Sequence, residues 1–220
     1  MEKICYIVGA ADLCKIKIRR NDGDLVIAAD AGYRYLAELG LNADLVLGDF
    51  DSLGFVPDDA EIIRHPVRKD DTDTMLAARE GITRGYRTFV FLGCVGGCRP
   101  DHTIANLQTL LWLAENGARG YLFGDDHAYA AVKNGAIRFE GDNQGTLSVF
   151  CFGKNAEGVY ERGLSYTLED AELTSSFPLG VSNSFIGESA EVGVKDGSLI
   201  VFWETDAEEF LRTVKLNEKT

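Results

Sequence analysis

Positive charge is scarce in this sequence: 22 lysines and arginines stand against 35 aspartates and glutamates, a formal net charge of -13. That balance argues against a general nucleic-acid binder, which needs a basic stripe to displace counterions from phosphates. No apolar stretch approaches the ~20 residues that cross a bilayer. The opening MEKICYIVGAADLCK lacks the basic start and small-residue cleavage site of a signal peptide, so the expected compartment is the cytoplasm. The five cysteines are scattered. Cys94 and Cys98 form a C-x3-C pair, but the second Cys or His pair of a structural zinc site is missing, which leaves ordinary reduced thiols. There is no internal repeat, no low-complexity tract, no G-x-G-x-x-G fingerprint and no Walker ending G-K-[ST].

What is present divides in two. Up to about residue 130, short apolar runs alternate with helical patterns. Strands are expected at KICYIVGA, DLVIAAD (24–30), ADLVLGD (43–49), RTFVFLG (87–93) and RGYLFG (119–124). Helices are expected over 31–40, over 71–85 with Thr72 or Asp73 as cap, and over 101–117, ending at Gly117. Nearly continuous apolar strands alternating with helices indicate a Rossmann-like parallel sheet covered on both faces. Beyond that point, runs of 4–8 residues punctuated by turn signals replace the helices: NGAIRFEG, GTLSVFCFG, GVYERGLSYTLED, GVSNSFIG and SAEVGVKDGSLIVFWE. The KDGS turn at 195–198 is expected to join two antiparallel strands. The expected organisation is an α/β domain over 1–135 and a small all-β sandwich or barrel over 136–220, with a short helical pattern at the end.

The acidic residues fall in one place on this frame. Asp30 ends the second strand, Asp49 the third, and Asp51 lies just past it. Asp70, Asp71 and Asp73 lead into the next helix, and Asp101 opens the one after GCVGGCRP. Ligands of open parallel sheets bind beyond the carboxyl ends of the strands, and all of these carboxylates project from that edge. Asp73 or Asp101 alone would serve as a helix-end acid, but Asp49 and Asp51 end a strand that needs no cap. Crowded carboxylates repel unless a cation or proton lies between them. Oxygen ligands without His or Cys suit Mg2+, which pairs a few carboxylates with phosphate oxygens and water. The glycine-rich loop 93–102 enters a helix, where free N–H groups face an anion, and Arg68, Lys69 and Arg99 can supply phosphate contacts. The residues alone point to a Mg2+-dependent phosphoryl-transfer enzyme.

The motifs ADAG (29–32), LGDFDSL (47–53), KDDTD (69–73), GGCRPDHTIAN (96–106) and SNSF (182–185) resemble, in order and spacing over nearly the whole chain, those of the thiamine pyrophosphokinase family. The resemblance implies transfer of the terminal diphosphate of ATP to the hydroxyl of thiamine, with AMP released. It also implies a homodimer with thiamine bound where the subunits meet. It assigns Asp49, Asp51 and Asp73, helped by Asp71, to the Mg2+ and diphosphate site, with Asp30 beside them. Arg68, Lys69, Arg99 and His102 would meet the ATP phosphates, although Cys98 is inserted between the family's glycines and Arg99. Ser182 and Asn183 match the segment that hydrogen-bonds the aminopyrimidine, and Phe185 falls where a ring lies against thiamine. Asp71 or Asp101 is the candidate to accept the hydroxyl proton. His102 suits a phosphate contact or a structural hydrogen bond equally. FGDDH (123–127) reads as a loop or as the nucleotide's distal edge.

Two other readings fit the same scaffold: a different Mg2+-dependent diphospho- or nucleotidyl-transferase, and a non-catalytic thiamine- or nucleotide-binding regulator. The retained acids argue against the regulator, since a mere binder has no need to hold repelling groups together.

Overall fold

The computed structural model of the chain describes residues 3–11, 18, 20–50, 53–58, 60–65 and 70–217. The first half supplies β1 (Ile4–Val8), β2 (Leu25–Ala29), α1 (Gly32–Glu38), β3 (Leu45–Gly48), β4 (Glu61–Arg64), α2 (Asp73–Thr83), β5 (Thr88–Leu92), α3 (Pro100–Glu115) and β6 (Arg119–Phe123). The second supplies β7 (His127–Lys133), β8 (Ala136–Phe139), β9 (Thr146–Cys151), β10 (Ala156–Arg162), β11 (Leu168–Leu173), β12 (Gly180–Ser184), β13 (Ala190–Gly193), β14 (Ser198–Glu204) and α4 (Ala207–Asn217). Among the described residues, no helix is long and apolar enough to cross a membrane.

These elements form a ten-stranded sheet, ordered β12-β9-β14-β7-β6-β5-β1-β2-β3-β4, and a four-stranded antiparallel sheet, β11-β10-β13-β8. Every residue of β1, β2, β3 and β5 is buried, as their unbroken apolar character predicts for parallel strands covered on both faces. Ala77, Ala78, Leu110 and Leu113 of α2 and α3 pack on one face with Cys5, Ile7, Phe89 and Phe91. The opposite face takes Leu36 of α1, the inner side of the small sheet and α4, whose Phe210 meets Phe123 and Trp203.

The chain runs outward from β1 through β2, β3 and β4, then returns to place β5 on the other side of β1. The strand order therefore reverses between β1 and β5, where an open α/β sheet leaves a crevice for ligand.

The second half differs from a free-standing sandwich. β7 turns back from β6 as a hairpin through FGDDH, with the Gly124 N–H donating to the His127 carbonyl at 2.8 Å. β7, β14, β9 and β12 thereby extend the large sheet. The KDGS segment is not a hairpin turn: β13 belongs to the small sheet and β14 to the large one. Asp196 accepts from the Glu157 N–H at 2.7 Å and the Gly197 N–H donates to Asn134 Oδ1 at 2.9 Å, so the chain is pinned while it crosses between sheets. GVYERGLSYTLED is two paired strands, β10 and β11, rather than one.

Candidate active site

The carboxyl ends of β1, β2, β3 and β5 and the starts of α2 and α3 enclose a cavity of about 660 Å³ at the switch point. The backbone there is tightly drawn. A Cβ on Gly32, at the head of α1, would lie 2.0 Å from the Val8 carbonyl oxygen, so only glycine lets α1 approach β1. Asp30 adopts a left-handed φ of 47°, and its N–H donates to the Leu47 carbonyl at 2.8 Å. A Cβ on Gly48 (φ 154°) would stand 3.0 Å from the Asp30 Cβ, so the ends of β2 and β3 are in close contact.

Asp30, Asp49 and Asp73 all line this cavity, with Arg99 and His102 from the head of α3. Asp30 is buried, and its Oδ1 has no hydrogen-bond partner among the described residues. A buried orphan oxygen beside two further carboxylates asks for a cation or a proton. Among the described residues no three His, Cys, Asp or Glu side chains are gathered into a metal cage. Mg2+ binds through one or two carboxylates with phosphate oxygens and waters, and the oxygen-only donors of this edge fit that demand.

Two predicted acids stand outside the cavity lining. Asp71 Oδ2 lies 3.1 Å from Arg79 Nη1 on α2. Asp101 receives two hydrogen bonds from Arg99, at 3.0 and 2.7 Å, and this pairing lowers its pKa to about 2. Asp51, Arg68 and Lys69 lie outside the described residues.

The loop and the helix heads are held by Asn106 and Thr103, for which the sequence suggested no role, and by the expected cap Thr72. Asn106 Nδ2 donates to the Cys94 carbonyl at 2.6 Å, while Asn106 Oδ1 accepts from Thr74 Oγ1 at 2.6 Å. This one carboxamide joins α2, α3 and the glycine-rich loop. Thr103 Oγ1 accepts from the Gly96 N–H at 3.1 Å, and Thr72 caps α2 by accepting from the Met75 N–H at 3.2 Å. Cys98, the inserted residue, is exposed and lines the cavity. A polar residue one or two helical turns inside a helix head, as Asn106 is, was the available signal.

Ser182, Asn183 and Ser184 of SNSF lie on β12, the edge strand of the large sheet, with Phe185 just past its end, and none of the four lines the switch-point cavity. Ser182 is exposed in a left-handed conformation (φ 63°), with its N–H given to Ser148 Oγ at 3.0 Å. Asn183 is buried. Its Oδ1 accepts from the N–H groups of Tyr166 and Ser184, and its Nδ2 donates to the Tyr166 carbonyl and to Glu161 Oε2. All four bonding positions of the carboxamide are thus used within the fold. Phe185 sets its ring edge-on to Phe139 at 5.2 Å.

Two family models match this chain. The thiamin pyrophosphokinase catalytic domain matches residues 19–122, and the thiamin pyrophosphokinase vitamin B1 binding domain matches residues 136–199. The chain belongs to the thiamin pyrophosphokinase family. As a member it is an enzyme carrying both parts of a thiamine diphosphokinase, the catalytic part around the switch point and the vitamin-binding part on the antiparallel strands. Solved structures share the fold. The thiamine pyrophosphokinase of Bacillus subtilis is 22% identical with a TM-score of 0.81, covering 93% of this chain and 100% of its own. A thiamin pyrophosphokinase family protein of Enterococcus faecalis is 25% identical with a TM-score of 0.79, covering 93% and 100%. The thiamin pyrophosphokinase of Candida albicans, at 17% identity and a TM-score of 0.72, covers 92% and 90%. No curated protein sequence gives a significant match.

Proposed function

We propose that this enzyme transfers the terminal diphosphate of ATP to the hydroxyl of thiamine with Mg2+, giving thiamine diphosphate and AMP. The observation that carries the reading is the cavity between β1 and β5, where Asp30, Asp49 and Asp73 face a glycine-rich loop. In this reading residues 1–135 hold ATP and Mg2+ and residues 136–220 hold thiamine. The thiols of Cys5, Cys94, Cys98 and Cys151, held in no disulfide among the described residues, suit a reducing compartment, the cytoplasm.

Asp49, Asp51 and Asp73, with Asp71 alongside, would hold the cation. A Mg2+ ion held by these carboxylates would supply positive charge against the transferring phosphates. Arg68, Lys69, Arg99 and His102 position the phosphates, and the loop N–H groups at the head of α3 face the same anion. Asp71 and Asp101 are the two candidates for accepting the thiamine hydroxyl proton, and the pairing with Arg99 leaves Asp101 ionised and weakly basic. Asn183 serves thiamine by clamping the Tyr166 backbone beside the exposed Ser182, with Phe185 as the neighbouring ring.

A homodimer completes the site. SNSF and the switch-point cavity are lined by separate residues within one copy, and β12 is the outermost strand of the large sheet among the described residues, met at its end by Leu164 and Ser165. Around that edge Tyr166, Phe177, Leu179, Val181 and Ile186 are exposed, Tyr166 at 73% and Phe177 at 65%. A second copy covering this apolar patch would bring its own acidic edge toward the first copy's β12.

The test is to incubate the purified chain with thiamine, ATP and Mg2+ and weigh both products. Thiamine diphosphate with equal AMP, reduced at least ~100-fold by Asp73→Asn, supports the assignment. Thiamine monophosphate with ADP, or free pyrophosphate, would replace it with a simple kinase or a nucleotidyl-transferase.

A further inference from the structure

A second cavity, of about 650 Å³, has four cationic side chains in its lining, Arg87, Arg119, Lys133 and Arg138, and no carboxylate among the described residues. That composition runs against a chain in which acids outnumber bases by 35 to 22. The cavity lies at the far end of the sheet from the diphosphate edge, because β5 and β6 begin beside it and run toward the glycine-rich loop. The topology gathers its cations. The Arg119 N–H donates to the Arg87 carbonyl at 2.7 Å, which makes these two residues neighbours at the start of β6. β7 runs antiparallel to β6, so its last residue, Lys133, arrives at the same end.

Two of the four charges are already answered. Arg138 Nε lies 2.5 Å from Glu191, and Lys133 Nζ lies 3.6 Å from Glu115. Among the described residues, Arg87 donates to the carbonyls of Tyr86 and Ile82 and to no carboxylate. Arg119 makes no ion pair or side-chain hydrogen bond among the described residues. The last carbonyls of α3, which point toward this end, are taken up by the N–H groups of Asn116, Gly117 and Ala118. Two guanidinium groups therefore line a cavity where no carboxylate among the described residues pairs with them. Guanidinium forks match phosphate oxygens two at a time. Much of the remaining wall is alanine and glycine, and the volume falls within the range of small-molecule sites, about 300–1,000 Å³.

We infer that this cavity binds a small organic phosphate, with Arg87 and Arg119 holding the phosphate group and the small-residue walls receiving its organic part. The inference does not rest on the diphosphotransferase reading.

The test is a titration of the 15N-labelled full chain with ribose 5-phosphate, and separately with inorganic phosphate, in EDTA. Without Mg2+ the acidic edge repels both probes, so failure of the catalytic reading cannot mimic failure here. Expected are saturable shifts of the Arg119, Gly120, Lys133 and Gly135 amides with half-saturation below about 5 mM. Ribose should give none. Arg87→Gln/Arg119→Gln should weaken binding at least ~tenfold, and Arg119→Gln alone, a single surface change, should weaken it in the same direction. Absence of saturable shifts with both phosphates, shifts confined to the 93–102 loop, or unchanged affinity in both variants would overturn the site.

Discussion

Asn183 and Glu161 form a buried pair in which the carboxamide donates to Glu161 Oε2 at 2.7 Å, while Glu161 Oε1 is enclosed without a hydrogen-bond partner among the described residues. The SNSF strand is therefore braced from below by an acid that no motif contains.

Burial raises the pKa of Glu161, and the bond from Asn183 only partly opposes it. The fold therefore holds this proton more tightly than the unfolded chain does. The sign follows: stability from Glu161 is present below the ordinary glutamate range and is lost as pH rises through the elevated value. Glu161→Gln keeps an acceptor for Asn183 but cannot ionise. The melting temperature of the native chain relative to Glu161→Gln should fall as pH is raised from 4 toward 8. A relative rise would mean that the native carboxyl is ionised.

Asn106→Ala removes both bonds that tie α3 to Thr74 and to the Cys94 carbonyl, at a position only 4% exposed. Leaving that carbonyl unpaired should cost about 2 kcal/mol in urea unfolding. Turnover should fall as well, because the freed loop lines the switch-point cavity. A variant as stable and as active as the native chain would remove the brace from the account.

Arg99 holds Asp101 near a pKa of about 2. In Arg99→Met the Asp101 carboxyl, followed by 13C NMR, should titrate near the ordinary aspartate value of about 4. Between pH 5 and 8 Asp101 is ionised in both proteins, so any pH limb on the rate in that window belongs to another group. An unmoved Asp101 titration would show that the pairing seen here does not persist in solution.

Cys98 is the exposed thiol among the described cysteines, while Cys5, Cys94 and Cys151 are buried, and burial raises the pKa of Cys151 and Cys5. Iodoacetamide should therefore inactivate the enzyme through Cys98, with ATP and Mg2+ slowing the loss. Cys98→Ser should keep its activity and resist the reagent. Inactivation of that variant at the native rate would place the sensitive thiol elsewhere.

The catalytic half was legible because its signals are local. Apolar runs such as LVIAA and TFVFL became buried parallel strands, and Asp30, Asp49 and Asp73 reached one cavity because each sits at a strand's carboxyl end or at a helix head. The second half was less legible because an antiparallel strand with one apolar face does not announce its sheet. SAEVGVKDGSLIVFWE reads as a hairpin, but the bonds from Asn134 and Glu157 that send its two strands to different sheets come from distant residues. Glu161 looks like a surface acid by composition, and only the fold shows it buried beneath Asn183. β4 escaped notice because EIIR is short and only partly buried at the sheet's other edge.

β7 and β14 share seven paired residues, β7 is laddered to β6, and Trp203 is fully enclosed between the two sheets. The molecule thus has no seam along which its two halves could swing apart. A protease that cuts within Gly124–His127 should leave the fragments associated under native conditions. The spacing between the switch-point cavity and β12 is then a fixed dimension of the chain, and if the proposed substrate sites hold, closing the gap between them falls to the way two copies meet.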